Sequence, residues 1–170
     1  MEKRDSLKQK EARLTSLFDE YFDRIARYAY ARIGDQREAE DIASDVFIKA
    51  LKSLGTFEER GLPMGAWLFK IAHNLVVDYY RRNSQMKKVE LEKVEIESQS
   101  NPAMDAERKL EIERVHLAMI NLTEEQREII RLRFYGGLSS AEVGAMLGKS
   151  DGAVREAQSA ALKRLRMKLT

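Results

Sequence analysis

Trp67, Lys70, Asn74, Arg81 and Arg82 fall within one run, AWLFKIAHNLVVDYYRR (residues 66–82), together with Tyr79 and Tyr80. A ring that stacks and cations that follow phosphates are what single-stranded nucleic acid requires, each stacked base contributing ~1–3 kcal/mol. At helical spacing, Leu68, Ile71, Ala72, Leu75 and Tyr79 share one face, which reads as core. Trp67, Lys70, His73, Asn74, Val77 and Arg81 lie mainly on the other. A plainer reading fits the composition equally: Trp67 and both tyrosines in the core, with the cations solvated.

A second set lies in LSSAEVGAMLGKSDGAVREAQSAALKRLRMKL, residues 138–169. Ser139 and Glu142 form a capping box, Val143, Met146 and Leu147 a short apolar face, and Gly148 a turn. Ser150 caps a second helix with Val154, Ala157 or Ala161, and Leu165 inside. Two short helices across a tight turn, the second basic toward its end, read as a helix-turn-helix; an ordinary αα-hairpin has the same pattern. In the DNA-binding reading the second helix enters the major groove. Lys149, Ser150, Asp151, Arg155, Glu156, Gln158 and Ser159 are then the candidate base readers or phosphate contacts. Arginine can pair bidentately with guanine, and glutamine with adenine. Arg131, Arg133, Lys163, Arg164, Arg166 and Lys168 are expected to meet phosphates or solvent.

The third is acidic. Residues 35–47 hold five acids against one base, whereas residues 67–88 hold five bases against one acid. Asp41 and Asp45 interleave with Ile42, Val46 and Phe47, a pattern that suits either a solvated face or docking to a basic helical partner. No nucleophile elbow, phosphate loop or histidine-carboxylate constellation gives catalysis a footing. His73 and His116 lack metal-ligand spacing and read as ordinary helix residues, so no cofactor or metal is expected.

The elements that must position these groups are helical. The 170 residues contain only 2 Pro and 9 Gly, with 44% hydrophobic and 34% charged residues, and suit one or two small all-α domains. There is no cysteine, which excludes disulfides, thiol catalysis and Cys-based zinc sites. MEKRDSLKQKEARL is charged throughout and does not read as a secretory leader, and no apolar run approaches the ~20 residues of a membrane span. A cytoplasmic protein without membrane insertion is the expectation. Leu14, Leu17, Phe18, Tyr21, Ile25 and Tyr28 predict a helix over residues 6–33, closed by Gly34. Asp35 caps the next, with Glu38 as its reciprocal partner. Ile42, Val46, Ile48 (or Phe47) and Leu51 form its stripe.

Residues 83–103 are polar and read as a linker, in which VELEKVEI has the alternation of a short strand or of a segment that orders on a partner. Asn101 and Pro102 open a further helix with Leu110, Val115 (or Arg114), Leu117, Ala118 and Ile120 as its apolar residues. Thr123 and Gln126 box the next, with Ile129, Ile130, Leu132 and Phe134 inside and Gly136-Gly137 at its end.

In combination these blocks resemble the extracytoplasmic-function group of bacterial sigma factors. EAEDIASDVFIKA is similar to region 2.2, AWLFKIAHNLVVDYYRR to regions 2.3 to 2.4, and LTEEQREIIRLRFYGGLSSAEVGAMLGKSDGAVREAQSAALKRLR to region 4. The resemblance implies an all-α fold of two domains, residues 1–83 and 103–170, joined by a linker over 84–102 that threads through polymerase. It implies contact of Asp41, Ile42, Asp45, Val46 and Phe47 with the β′ clamp of core RNA polymerase, and of region 4 with the β flap. Trp67, Lys70, Asn74, Arg81 and Arg82 would meet the non-template strand of the minus-ten element. The loop 56–64, with Phe57, would hold a flipped base, whose extrusion costs a few kcal/mol. Lys149, Ser150, Asp151, Arg155, Gln158 and Ser159 would read the minus-thirty-five element. An anti-sigma partner is implied as well. The chain departs from many relatives in having Ser159-Ala160 where they carry His-Arg, and Ala157 where they carry a bulky apolar residue. A weaker phosphate contribution from this helix follows. A stand-alone helix-turn-helix regulator would leave the acidic helix and the Trp67 face idle, and a purely protein-binding adaptor would have no affinity for DNA.

Overall fold

The computed structural model describes residues 2–84 and 102–170, and within them all regular structure is helical. The first body comprises α1 (Glu2–Ile33), α2 (Gln36–Ser53), a 3-10 turn (Leu54–Thr56) and α3 (Met64–Arg82). Leu14, Tyr21, Ile25 and Tyr28 of α1 recur at spacings of seven, four and three, which places them on one buried stripe. They meet Ala39, Ile42, Ala43, Val46, Phe47 and Ala50 of α2, whose small residues let the helices approach closely. Leu68, Phe69, Ala72, Leu75, Val76 and Tyr79 of α3 complete this core, each large side chain contributing ~1.5–3 kcal/mol on burial. Asp35 caps α2, its carboxylate accepting from the Glu38 N–H at 3.0 Å, but the reciprocal Glu38 half of the expected capping box is not formed.

The second body comprises α4 (Pro102–Ile120), α5 (Glu124–Ile130), a π-helical turn (Arg131–Tyr135), α6 (Ser140–Leu147) and α7 (Asp151–Leu169). Both expected capping boxes form, Thr123 with Gln126 and Ser139 with Glu142. Gly148 takes the left-handed conformation, φ 68, that turns α6 into α7. Leu122, Ile130 and Ala161 make a small core of their own, with Met119, Leu162 and Leu165 against it. Ile129, Leu132, Leu138, Val143 and Val154 instead join the core of the first body, so the two bodies pack as one.

Three expected stripes differ from the structure. On α2, Phe47 is the buried residue, while Ile48 and Leu51 are 51% and 59% exposed. On α4, Leu110, Val115, Leu117 and Ile120 all face outward, and Ala118 is the one of that set that packs. Phe134 is 58% exposed, because the π-helical turn shifts the register after Leu132. The expected strand in VELEKVEI, the linker centre and the Asn101 cap lie outside the described residues.

Candidate nucleic-acid and polymerase interfaces

Along α3, Leu68, Ala72, Leu75 and Tyr79 of the predicted core face are buried, while Ile71 of that face and His73 and Val77 of the other are half-buried. Lys70, Asn74, Arg81 and Arg82 are exposed, and Trp67 is half-buried. The Trp67 ring stacks on Phe57, with centroids 4.3 Å apart and planes at 27°. Phe57 itself is buried, so it serves as the floor on which Trp67 rests. Beside the pair opens a cleft of about 430 Å3, lined by Ser53, Thr56, Phe57, Arg60, Leu62 and Trp67. The cleft loop is tied down from α1: Arg13 makes two 2.9 Å bonds to the Glu59 carboxylate, and the Lys10 ammonium donates to the Phe57 carbonyl at 2.7 Å. The hydrogen bond from Arg13 holds the Glu59 carboxyl below its usual range. A platform of stacked rings, an open cleft beside it and four exposed groups along one helix can accept an unstacked strand.

On α2, Asp41 and Asp45 are exposed, whereas Ile42, Val46 and Phe47 lie inside. The buried three support the helix and do not present themselves to a partner. Ile48 and Leu51 follow Asp41 and Asp45 at helical spacing and supply the outward apolar surface instead.

On α7, Arg155, Glu156 and Ser159 face solvent. The other predicted readers are engaged within the molecule. Lys149 pairs with Glu125 at 2.7 Å, Ser150 caps α7 by accepting from the Ala153 N–H, and Asp151 pairs with Arg155 at 2.9 Å while accepting from the Ser140 hydroxyl. Gln158 accepts from Arg133 Nε at 2.8 Å. Arg133 also donates to the Leu138 carbonyl, and Arg131 lies 3.7 Å from both Glu124 and Glu128. Neither arginine therefore points to phosphate or solvent as expected; both brace the second body.

His73 is no ordinary helix residue either. Its Nδ1 lies 3.2 Å from Glu128 Oε1, and Glu128 is buried. Glu128 is not among the residues the sequence singles out, although it is buried beside Ile129 of α5 and, at i+4, Leu132 of the turn that follows. An acid on an apolar stripe was the available signal. Its partners, Tyr28, Arg32 and His73, lie 55 to 100 residues away and could not be read from local spacing. Burial opposes ionisation of Glu128, but the His73 bond, the Arg32 charge and the Tyr28 hydroxyl outweigh it and hold the carboxyl below its usual range. Burial, reinforced by the Glu128 charge, pushes the Tyr28 hydroxyl well above its usual range.

The family models for Sigma-70 region 2 and Sigma-70 region 4 match residues 17–86 and 118–167. The ECF RNA polymerase sigma factor BldN of Streptomyces coelicolor is 36% identical over 153 residues; the match takes in 88% of this chain and 57% of BldN. The ECF RNA polymerase sigma factor SigD of Mycobacterium tuberculosis is 32% identical over 148 residues, 84% of this chain and 70% of SigD. The fold matches that of the sigma factor RpoE in its complex with the anti-sigma factor NepR from Bartonella quintana, with a TM-score of 0.61 at 24% identity over 95% of this chain and 97% of that one. The chain belongs to the ECF RNA polymerase sigma factors.

Proposed function

We propose that this chain binds core RNA polymerase and directs it to promoters, residues 1–83 melting the minus-ten element and residues 103–170 reading the minus-thirty-five element, with 84–102 as the linker. The observation that carries this reading is the Phe57–Trp67 stack beside its cleft, continued by exposed Lys70, Asn74, Arg81 and Arg82 on the same helix. The stack offers a platform to an unstacked base, and the cations follow the strand. Arg155, Gln158 and Ser159 are the base readers of α7, with Lys149, Ser150 and Asp151 shaping its N-terminal end. Lys10 and Arg13 position the cleft loop. Polymerase is held by Asp41 and Asp45 with Ile48 and Leu51, over the support of Ile42, Val46 and Phe47, and the exposed apolar face of α4 suits the β flap. The chain carries out no chemistry of its own and needs no cofactor.

RpoE is seen with an anti-sigma factor; an anti-sigma partner for this chain follows by the same family logic. Among the described residues no helix is long and apolar enough to cross a membrane, which accords with a cytoplasmic setting. Co-elution with bacterial core RNA polymerase on size exclusion tests the reading. The wild-type chain should co-elute and Asp45→Lys should not, because the reversed charge faces the partner in the middle of the acidic surface. A folded wild-type chain that fails to co-elute would leave a stand-alone DNA-binding regulator.

A further inference from the structure

The first turns of α1 add little to the core. Between residues 6 and 13 no side chain is buried, and Lys10 alone is half-buried. This stretch also precedes residues 17–86, the part of the chain that matches Sigma-70 region 2. Among the described residues, the side-chain hydrogen bonds that run from it to other elements all end on the cleft loop. Lys10 donates to the Phe57 carbonyl, and Arg13 grips the Glu59 carboxylate with two parallel bonds. Isolated surface ion pairs count for little, but a bidentate arginine–carboxylate pair fixes the orientation of both groups.

Glu59 organises the loop from its centre. The Arg60 N–H bonds back to the Glu58 carbonyl at 2.9 Å, closing a three-residue turn with Glu59 at its apex. The Glu59 carboxylate also accepts from the Met64 N–H, one of the donors that the start of α3 leaves without a helical partner. One carboxylate thus ties α1 to the first turn of the helix that carries Trp67. The helices meet there as well, since a Cβ at Gly65 would overlap the Tyr21 ring. With Glu59 turned back to α1, its neighbours Glu58 and Arg60 are the charged groups that line the cleft. They pair with each other at 3.0 Å and are both exposed, so the pair parts readily for a ligand.

We propose that Glu58 and Arg60 select the base held in this cleft, favouring one with an exocyclic amine over thymine, and that Lys10 and Arg13 are the positioning residues that hold them to this task. The proposal rests on the capture of an unstacked base given above. A carboxylate only accepts hydrogen bonds and a guanidinium only donates them. Cytosine and adenine set an amine beside a ring nitrogen that accepts, and guanine sets an amine and a ring N–H beside a carbonyl. Each offers a donor to Glu58 and an acceptor to Arg60. Thymine holds its single N–H between two carbonyls, and both repel the carboxylate.

The test uses the holoenzyme formed by the full chain with bacterial core RNA polymerase, and forked DNA whose single-stranded non-template arm is randomised. Sequencing of the retained DNA should show a position depleted of thymine by about tenfold. Glu58→Gln, whose amide can donate to a thymine carbonyl, should readmit thymine at that position. Arg13→Ala should flatten the same preference to within about twofold, and Arg13→Lys, which keeps the charge without the fork, should recover part of it. Every variant should co-elute with polymerase and keep the far-UV helicity of the wild type. A wild-type holoenzyme with no thymine-depleted position overturns the proposal. So does depletion that Glu58→Gln leaves unchanged, and an Arg13→Ala preference equal to wild type removes the positioning role. A wild-type chain that forms no complex with polymerase, or a holoenzyme that retains no forked DNA, would instead overturn the promoter-melting reading, and base selection with it.

Discussion

At the scale of single residues, Glu128 carries the most unusual environment. Its carboxyl is buried and still titrates below its usual range, because the His73 bond, Arg32 and the Tyr28 hydroxyl outweigh the burial that opposes its charge. The groups facing it are Tyr28 and Arg32 from α1, His73 from α3 and Arg131 from the turn after its own helix. A carboxyl with a depressed folded pKa stabilises the fold above its unfolded value, near ~4.3, and loses that contribution as pH falls through the folded value. Glu128→Gln should therefore melt lower than wild type at pH 7, by about 1–3 kcal/mol or roughly 2–10 °C. The gap should close as pH drops below ~4.3, where the wild-type carboxylate takes up its proton. Parallel acid profiles, with a constant gap, would deny the charge of Glu128 any part in stability.

At the scale of elements, the helix-turn-helix depends on a close approach inside α6. A Cβ at Gly144 would lie 2.5 Å from the Lys149 carbonyl, a backbone atom that cannot yield without moving the turn. Lys149 N–H bonds back to the Gly144 carbonyl at 2.8 Å, so the same displacement breaks this cap. Gly144→Ala should cost about 1–3 kcal/mol and weaken duplex binding by reorienting α7. Thermal melts and fluorescence anisotropy with a duplex carrying the minus-thirty-five sequence measure the two effects. An Ala variant with wild-type values for both would show that the turn accommodates a methyl group.

Much at this scale was legible from sequence. The Thr123–Gln126 and Ser139–Glu142 boxes, the Asp35 and Ser150 caps and the Gly148 turn are local physics, with donor and acceptor within a few residues of each other. The stripe of α4 was legible as apolar, but periodicity gives a face without giving what covers it, and Leu110, Leu117 and Ile120 are outward. The Phe57–Trp67 platform was half legible: both residues stood out as candidates, while their stacking depends on a loop tied from α1 by Lys10 and Arg13. The Glu128 site was not legible, because its charge is made tolerable by groups brought together only by tertiary packing.

At the scale of the whole molecule, charge is segregated more than its net value of +2 suggests, with acids on α2 and bases on α3 and α7. How strongly the basic surface of α7 attracts duplex DNA depends on which cations are free. Six bases lie between residues 149 and 170, but Lys149 is committed to Glu125 and Arg155 to Asp151. Lys163, Arg164, Arg166 and Lys168 remain exposed along the C-terminal half of the helix. If these four release counterions, the logarithmic dependence of duplex affinity on salt has a slope of about −3.6, a loss of about 10²-fold between 50 and 200 mM. A binder with six to ten phosphate contacts would lose about 10³–10⁵ over that range. Glu125→Gln removes the carboxylate that holds Lys149 and should steepen the slope by about 0.9, one added counterion. Binding of the full chain to a duplex across a salt series measures both. A wild-type slope beyond about −6 would mean that the paired cations desert their acids for phosphate. A Glu125→Gln slope equal to wild type would mean that Lys149 already does so, because exposed ion pairs such as this one are worth little and a phosphate competes for the same ammonium.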